Sequence, residues 1–359
     1  MPIFEHKLWQ FTTWPLSLLF GLVVQARNRL YNAGVLQSAR VEAFVISIGN
    51  ISVGGTGKTP TTIYLADQLR RRGYRVGILS RGYGRRTTGT VVVSAGAGPL
   101  VSPWDCGDEP YLMAQSTQGV PVCVDADRVR GAKKLIQDFS VDIVLLDDGF
   151  QHRRLYRDMD LVLFDPHQYE ANPRLLPAGP FREPLHALAR AHCVWVVQAG
   201  EQQPSSSLMT VIEKYQNRSV FWVKKEMKWL WNPITRKREP LSCLRGKSLF
   251  CVAGIAQPSQ LYQQMKLLKP GELCFRAFHD HVNYTPVQVA HLVREFFAAQ
   301  CDFFVTTKKD WIKLATFTEM AQLPVRIAEL EMSLPKAEEA EFFKQLTQRI
   351  ESWREAKSR

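Results

Sequence analysis

Eight residues, Ser52-Val53-Gly54-Gly55-Thr56-Gly57-Lys58-Thr59, stand between a short apolar run at 43–48 (AFVISI) and a helical segment from about Pro60 to Arg72. A buried strand, a glycine-rich turn and a helix in direct succession leave few folds open. Successive backbone N–H groups in such a loop, backed by the helix N-terminus, cradle phosphate oxygens. A Cβ would obstruct that approach, so the glycines have a chemical reason to be there. Lys58 suits contact with β- and γ-phosphates, and the Thr59 hydroxyl suits Mg²⁺. The strict pattern wants glycine where this chain has Ser52, and the strand-before, helix-after context compensates. Residues 52–59 are therefore expected to bind ATP with Mg²⁺.

Further apolar runs at Arg75–Leu79, Val120–Val124, Val141–Leu146, Leu161–Phe164 and Cys193–Val197 alternate with helical stretches such as Arg128–Phe139. That alternation predicts an α/β fold, a P-loop NTPase-type core with a mainly parallel sheet covered on both faces. Val141–Leu146 runs into Asp147-Asp148, and in a parallel sheet that strand end shares a rim with the phosphate loop. One of these carboxylates is expected to hold Mg²⁺ directly or through water; Glu109 and Gln151 are further metal candidates. Mixed runs around Asn232-Pro233 predict a β-ribbon linker over 219–240, after a core at 36–218. A smaller α/β domain follows at 241–359, beginning with a strand at Ser248–Ala253. Its last helix carries Phe342, Phe343, Leu346, Ile350 and Trp353 at helical spacing, so it should dock through one face.

Charge and cysteine usage narrow the partners. Lys and Arg outnumber Asp and Glu by 46 to 34, a net +12 that favours anionic partners: nucleotide phosphates, nucleic acid or acidic lipid. Seven scattered cysteines without a C-x-x-C pair indicate neither a disulfide framework nor a zinc cluster.

The first 35 residues form a separate segment. From Leu8 to Ala26 there is no charge, and Trp14–Val24 is densely apolar, with Lys7 before and Arg27 and Arg29 after. A spanning helix needs about 20 mostly apolar residues, and Gln10, Thr12, Thr13 and Pro15 weaken this one. Glu5 spoils the basic region of a signal peptide. A helix in the membrane interface is favoured over a single signal anchor or a helix packed on the domain. The first two place the remainder in the cytoplasm.

Between and after these elements come Ser80-Arg81-Gly82-Tyr83-Gly84-Arg85, Gly107-Asp108-Glu109-Pro110, Asp147 to His152 (DDGFQH), Pro177 to Pro184 (PAGPFREP) and Phe278-His279-Asp280-His281. In this order the set resembles the tetraacyldisaccharide 4′-kinase family of the lipid A pathway, over nearly the whole chain. The resemblance implies transfer of the ATP γ-phosphoryl group to the 4′-hydroxyl of a tetraacyldisaccharide 1-phosphate, at the cytoplasmic face of the inner membrane. By motif match Asp108 is implied as catalytic base and His281 as its partner from the second domain. Tyr83, Arg128, Arg182 and Glu183 match positions for substrate or phosphate contact. The chemistry is sound without the name, since a positioned carboxylate can take the proton of a poorly nucleophilic sugar hydroxyl, while Mg²⁺, Lys58 and arginines stabilise the transferring group. Asp108 alone also suits a helix cap. Two segments depart from the family's usual T-T-E-K-D and A-G-I-G-N-P: Thr306-Thr307-Lys308-Lys309-Asp310 and Ala253-Gly254-Ile255-Ala256-Gln257-Pro258. Both are expected in the smaller domain and away from the chemistry.

Two other classes compete. A membrane-associated regulatory ATPase would need no phosphoryl acceptor, but such proteins often carry an extra lysine where this chain has Val53. A nucleic-acid translocase fits the charge alone, because aromatic and basic residues are not interleaved as a stacking platform requires.

Overall fold

A computed structural model describes residue 4 and residues 6–198, 205–215 and 219–358. Glu5 and the expected boundary at 218 lie outside the described residues. The chain divides into two compact units, Met1–Lys224 with Met332–Arg359, and Lys225–Glu331.

The first unit opens with helix α1 (Lys7–Asn32) and continues through β1 (Phe44–Asn50), α2 (Lys58–Arg71), β2 (Val76–Ser80), β3 (Val91–Ala95), α3 (Pro103–Cys106), α4 (Asp108–Ser116), β4 (Pro121–Val124), α5 (Arg128–Phe139), β5 (Ile143–Asp147), β6 (Met159–Phe164), α6 (Pro166–Ala171), β7 (Cys193–Gln198), α7 (Ser206–Tyr215) and the start of β8 (Ser219–Asn232). Its strands lie in the order β8-β7-β6-β1-β5-β2-β4-β3. All run parallel except β3, which pairs antiparallel with β4 at the edge. β1, β2 and β5 are buried along their whole length, which is why they read as continuous apolar runs rather than alternating ones. Ile48 of β1 lies in register with Asp147 of β5. The glycine-rich loop that follows β1 and the paired carboxylates that follow β5 thus leave the sheet on one rim. Gly49 allows this closeness, because a Cβ there would come within 2.5 Å of the Phe150 Cβ.

The second unit holds most of the remaining strands. β8 turns back at Asn232, whose Oδ1 accepts from the Ile234 and Thr235 amides at 3.0 and 3.2 Å. β9 (Lys237–Pro240) then pairs antiparallel with it. β10 (Ser248–Ala253), α8 (Pro258–Leu267), β11 (Glu272–Ala277), α9 (Pro286–Ala298), β12 (Phe303–Thr307), α10 (Lys308–Leu314) and β13 (Val325–Ser333) complete it, in the parallel order β11-β10-β12-β13.

Two expectations require correction. The second unit begins within β8 rather than at 241, so it takes in the ribbon. The final helix α11 (Lys336–Ser358) belongs to the first unit, not to the smaller domain. Its apolar face covers the β1, β7 and β8 side of the sheet. Phe342 meets Trp195 and Phe221 edge-on, with ring centroids 5.0 and 5.6 Å apart, and Trp353 meets Phe44 at 5.9 Å. Such aromatic pairs add about 0.5–1.5 kcal/mol each beyond area burial.

Helix α1 is turned inside out relative to an ordinary surface helix. Its buried residues are Thr13, Ser17 and Gly21, one per turn on a single face. The Ser17 hydroxyl donates to the Leu175 carbonyl at 2.8 Å, and the Trp9 indole donates to the Pro177 carbonyl at 3.0 Å. Gly21 is required by close approach, since a Cβ would lie 2.9 Å from Leu175 Cδ1. Leu8, Phe11, Trp14, Leu18, Leu19, Leu22 and Val23 face outward. No described helix is long and apolar enough to cross a membrane.

Candidate active site

The glycine-rich loop is held from behind before any ligand reaches it. Gly54 and Gly57 have φ of +111° and +93°, a region that L side chains rarely adopt. The Val53 amide donates to the Pro180 carbonyl at 2.7 Å, and the Asn50 side-chain amide donates to Thr56 Oγ1 at 2.8 Å. Ser52, the departure from the strict pattern, is buried, and its hydroxyl donates to Gln168 Oε1 at 2.7 Å. Gln168 returns an amide hydrogen to the Val53 carbonyl at 2.8 Å. Ser52 therefore anchors the loop. Sequence reasoning missed Gln168; its helix start is legible in Asp165-Pro166, but its fold-back onto the loop has no local signal.

Two carboxylates with opposite electrostatics follow β5. Asp147 is buried and accepts from the Ser80 hydroxyl at 3.0 Å. Burial, with the charges of Glu109 and Asp148 adding to it, pushes its pKa up to about 7. Asp148 sits at φ +50°, a conformation uncommon outside glycine. Its Oδ1 is 3.5 Å from Lys58 Nζ, and Arg182 Nη1 donates to both its oxygens at 2.9 Å. Burial alone would raise Asp148, yet the two cations outweigh it and hold its pKa below the usual carboxylate range. The pair thus differs in proton affinity although the residues are adjacent.

Arg128 opens α5 directly after its cap, Asp127, which accepts from the Val129 and Arg130 amides at 3.1 and 3.3 Å. Arg128 is 4% exposed, and its Nη1 donates to the carbonyls of Asp125 and Ala126 at 3.2 and 3.1 Å. Its Nε has no hydrogen-bond partner. Burial and the nearby Arg81 push its pKa down to about 10, while Asp147 and Asp148 work in the other direction. A buried guanidinium with an unused donor beside two carboxylates is suited to an anion arriving there.

The segments carrying Tyr83 and Asp108 are locked together. Gly107 has φ +94°, and a Cβ on it would lie 2.7 Å from the Tyr83 carbonyl oxygen. The Arg86 amide donates to the Trp104 carbonyl at 2.8 Å. Asp108 and Glu109 form the first turn of α4, where a helix N-terminus favours negative charge. Glu109 raises Asp147 through its charge, so this turn stands near the carboxylates of β5. Arg81, Tyr83, Arg85, Thr87 and Ala126 line an open cleft of about 300 Å³.

A preset phosphate loop, a carboxylate pair and a second acidic turn on the same rim delimit the chemistry, and comparison with known proteins supplies the family. Residues 9–351 match the family model for tetraacyldisaccharide-1-P 4′-kinase. The chain belongs to the tetraacyldisaccharide 4′-kinase family. A tetraacyldisaccharide 4′-kinase of Anaeromyxobacter dehalogenans is 37% identical over 297 residues, covering 82% of this chain and 79% of that one. The Aquifex aeolicus tetraacyldisaccharide 4′-kinase is 34% identical over 336 residues, covering 94% and 97%. The crystal structure of the "apo" form of LpxK from Aquifex aeolicus, in complex with ATP, superposes with a TM-score of 0.74 at 32% identity, covering 95% of this chain and 99% of that one.

Within this 4′-kinase chain the site residues named from sequence divide into groups. Residues 52–59, Asp147, Asp148, Arg128 and Arg182 meet around the loop, with Glu109 within electrostatic reach. Asp108 and Tyr83 lie on the adjoining locked segments. Glu183, matched to a substrate contact, is held by protein partners. It is 2% exposed, with Arg190 donating at 2.6 and 3.1 Å, Asn28 at 2.8 Å and Gln151 at 3.0 Å. Both oxygens are taken by the protein, so it braces α1 against the 177–184 segment. Gln151 turns its amide nitrogen to Glu183 and to the Asn50 carbonyl at 2.9 Å, while its buried Oε1 has no hydrogen-bond partner. His281 belongs to the second unit, at φ +59°, with Nε2 3.1 Å from Lys309 Nζ.

Proposed function

We propose that this chain transfers the γ-phosphoryl group of ATP to the 4′-hydroxyl of a tetraacyldisaccharide 1-phosphate, a phosphotransfer to an alcohol acceptor in lipid A biosynthesis. The observation that carries this reading is the sharing of one rim by the loop at 52–59, the Asp147-Asp148 pair and the acidic first turn of α4. Family membership sets the acceptor class.

The residues present fit ATP and Mg²⁺. The loop amides and Arg128 Nε are donors for phosphate oxygens, and Lys58 and Arg182 rest on Asp148 until a more strongly charged anion competes for them. Thr59 and Asp147-Asp148 would hold Mg²⁺ together with phosphate oxygens, in keeping with an ion that uses few protein carboxylates. Among the described residues no cluster of three or more His, Cys, Asp or Glu is grouped to hold a metal alone. Mg²⁺, when bound, neutralises charge on the phosphates and orients them.

Asp108 accepts the proton of the attacking hydroxyl, while Lys58, Arg128 and Arg182 stabilise charge on the transferring group. The family resemblance assigns His281 a part in that proton transfer, and the proposal keeps it. Glu109 and Gln151 keep their places as metal candidates, and Tyr83 as a substrate contact. Helix α1, with its outward apolar face and basic surroundings, supports a position on a membrane surface, where an acylated disaccharide resides. On this reading that surface is the cytoplasmic face of the inner membrane. A regulatory ATPase is disfavoured by the same family membership and by Val53.

The test is incubation with γ-labelled ATP, Mg²⁺ and tetraacyldisaccharide 1-phosphate in detergent micelles. Labelled lipid, with the new phosphate mapped to the 4′ position, supports the reading. ATP consumed with no labelled lipid contradicts it and returns the regulatory ATPase.

A further inference from the structure

His281 sits in the left-handed backbone region, uncommon outside glycine, at φ +59°. Such strain persists only where surrounding contacts over-determine it. One short helix supplies several of the contacts around it. Three residues of α10, Lys309, Asp310 and Lys313, reach the segment 280–284. Lys309 Nζ donates to Asp280 Oδ1 at 2.7 Å and lies 3.1 Å from His281 Nε2. The buried Lys313 ammonium donates to the Val282 carbonyl at 2.9 Å. Asp310, 2% exposed, accepts from the Tyr284 hydroxyl at 2.9 Å and from the Gly254 amide at 3.0 Å. Gly254 is itself required, since a Cβ would lie 2.5 Å from Val282 Cγ1 and 2.7 Å from Asp310 Oδ1.

The two segments expected to lie away from the chemistry, Ala253–Pro258 and Thr306–Asp310, therefore meet at the His281 loop. Charge reverses at Lys308, but the next residue makes the contact. A lysine ammonium has three hydrogens and no acceptor, so at 3.1 Å the ring nitrogen must accept. That places the ring hydrogen of neutral His281 on Nδ1. Asp280 Oδ2, 3.9 Å from Nε2, is too far to compete as a hydrogen-bond acceptor.

We propose that Lys309 is a positioning residue that fixes the tautomer and orientation of His281, with Asp280 holding the ammonium in place. The proposal rests on the assignment of His281 to the kinase reaction. It extends that assignment to a residue that contacts the imidazole and Asp280.

The experiment compares four full-length proteins: wild type, Lys309→Met, His281→Ala and the double variant. Phosphoryl transfer is measured at saturating Mg-ATP and lipid, and long-range ¹H–¹⁵N spectra report the imidazoles, with the His281 signals identified by their loss in His281→Ala. The wild type is expected to show the Nδ1–H tautomer. Lys309→Met is expected to shift it toward a mixture and to lower kcat about 10- to 100-fold with both KM values little changed. In the double variant, removing Lys309 should cost nothing further. An unchanged tautomer, or a Lys309→Met loss that multiplies with that of His281→Ala, overturns the proposal. If His281→Ala alone leaves kcat unchanged, the reaction assignment of His281 fails instead, while the tautomer measurement still reads the Lys309 contact. Should Lys309→Met not fold, Asp280→Asn serves the same comparison, because it loosens the ammonium and leaves the lysine in place.

Discussion

Lys58 Nζ lies 3.5 Å from Oδ1 of Asp148, so the lysine that would meet the phosphates is neutralised by the carboxylate that follows β5. With Arg182 on the same carboxylate, two cations are stored at the mouth of the loop in a form that an arriving polyphosphate can claim. The charge is partly desolvated there, where electrostatic interactions are stronger than in water.

Lys58→Met should therefore lower kcat by about 10²–10³-fold, the range for losing one donor aimed at developing charge. Nucleotide titration and steady-state transfer measure it. Thermal stability should change little, because Arg182 still holds Asp148.

Asp147 gives the site a pH signature that needs no ligand. Its pKa is raised to about 7 from the ordinary 3.8, so between these values the folded protein holds a proton that the unfolded chain has lost. With more protons bound to the native state, stability falls as pH rises through this window and levels off above it. Asp147→Asn removes the penalty. Its melting temperature relative to wild type, measured without nucleotide and in EDTA, should rise between pH 4 and pH 7 and then stay constant. A difference independent of pH would show that Asp147 is not held protonated.

Glu183→Ala should destabilise the protein by about 3–5 kcal/mol, since it strands the half-buried Arg190 guanidinium without its carboxylate. Denaturant unfolding reads this directly. A substrate-contact role would instead show as a raised lipid KM in a protein of normal stability.

The outward face of α1 makes a separable prediction. Replacing Phe11, Leu19 and Leu22 by serine removes three exposed apolar side chains, each worth about 1.5–3 kcal/mol when fully buried. Binding to vesicles containing anionic lipid should fall more than about 100-fold, measured by sedimentation. The fold should be unaffected, because these residues contribute little to the docked face.

What the sequence revealed, and what it did not, follows from the range of the interactions involved. The loop at 52–59, α5 over Arg128–Phe139 and β10 over Ser248–Ala253 are legible because local pattern specifies them: glycine at the turn, an aspartate cap, a buried apolar run. The Asp147-Asp148 pair is legible because its strand ends there. Helix α11 has an equally clear apolar face, yet the face alone cannot name its partner. Only Trp195 and Phe221, more than a hundred residues away, assign it to the first unit. The docked face of α1 was hidden for another reason. Thr13, Ser17 and Gly21 are too small and polar to register as a packing surface, while the apolar residues that draw attention point outward. Glu183 and Lys309 each sit in a motif whose chemistry is readable and whose hydrogen-bond partners are not.

The most direct test of the central claim is single-turnover transfer from γ-labelled ATP to tetraacyldisaccharide 1-phosphate by wild type and Asp108→Asn, at matched and saturating Mg-ATP. The account predicts labelled lipid from the wild type, a loss of at least about 100-fold in the variant and unchanged nucleotide affinity, as expected for removal of a general base. Equal transfer by both proteins would contradict the role of Asp108. No transfer by the wild type would contradict the kinase itself.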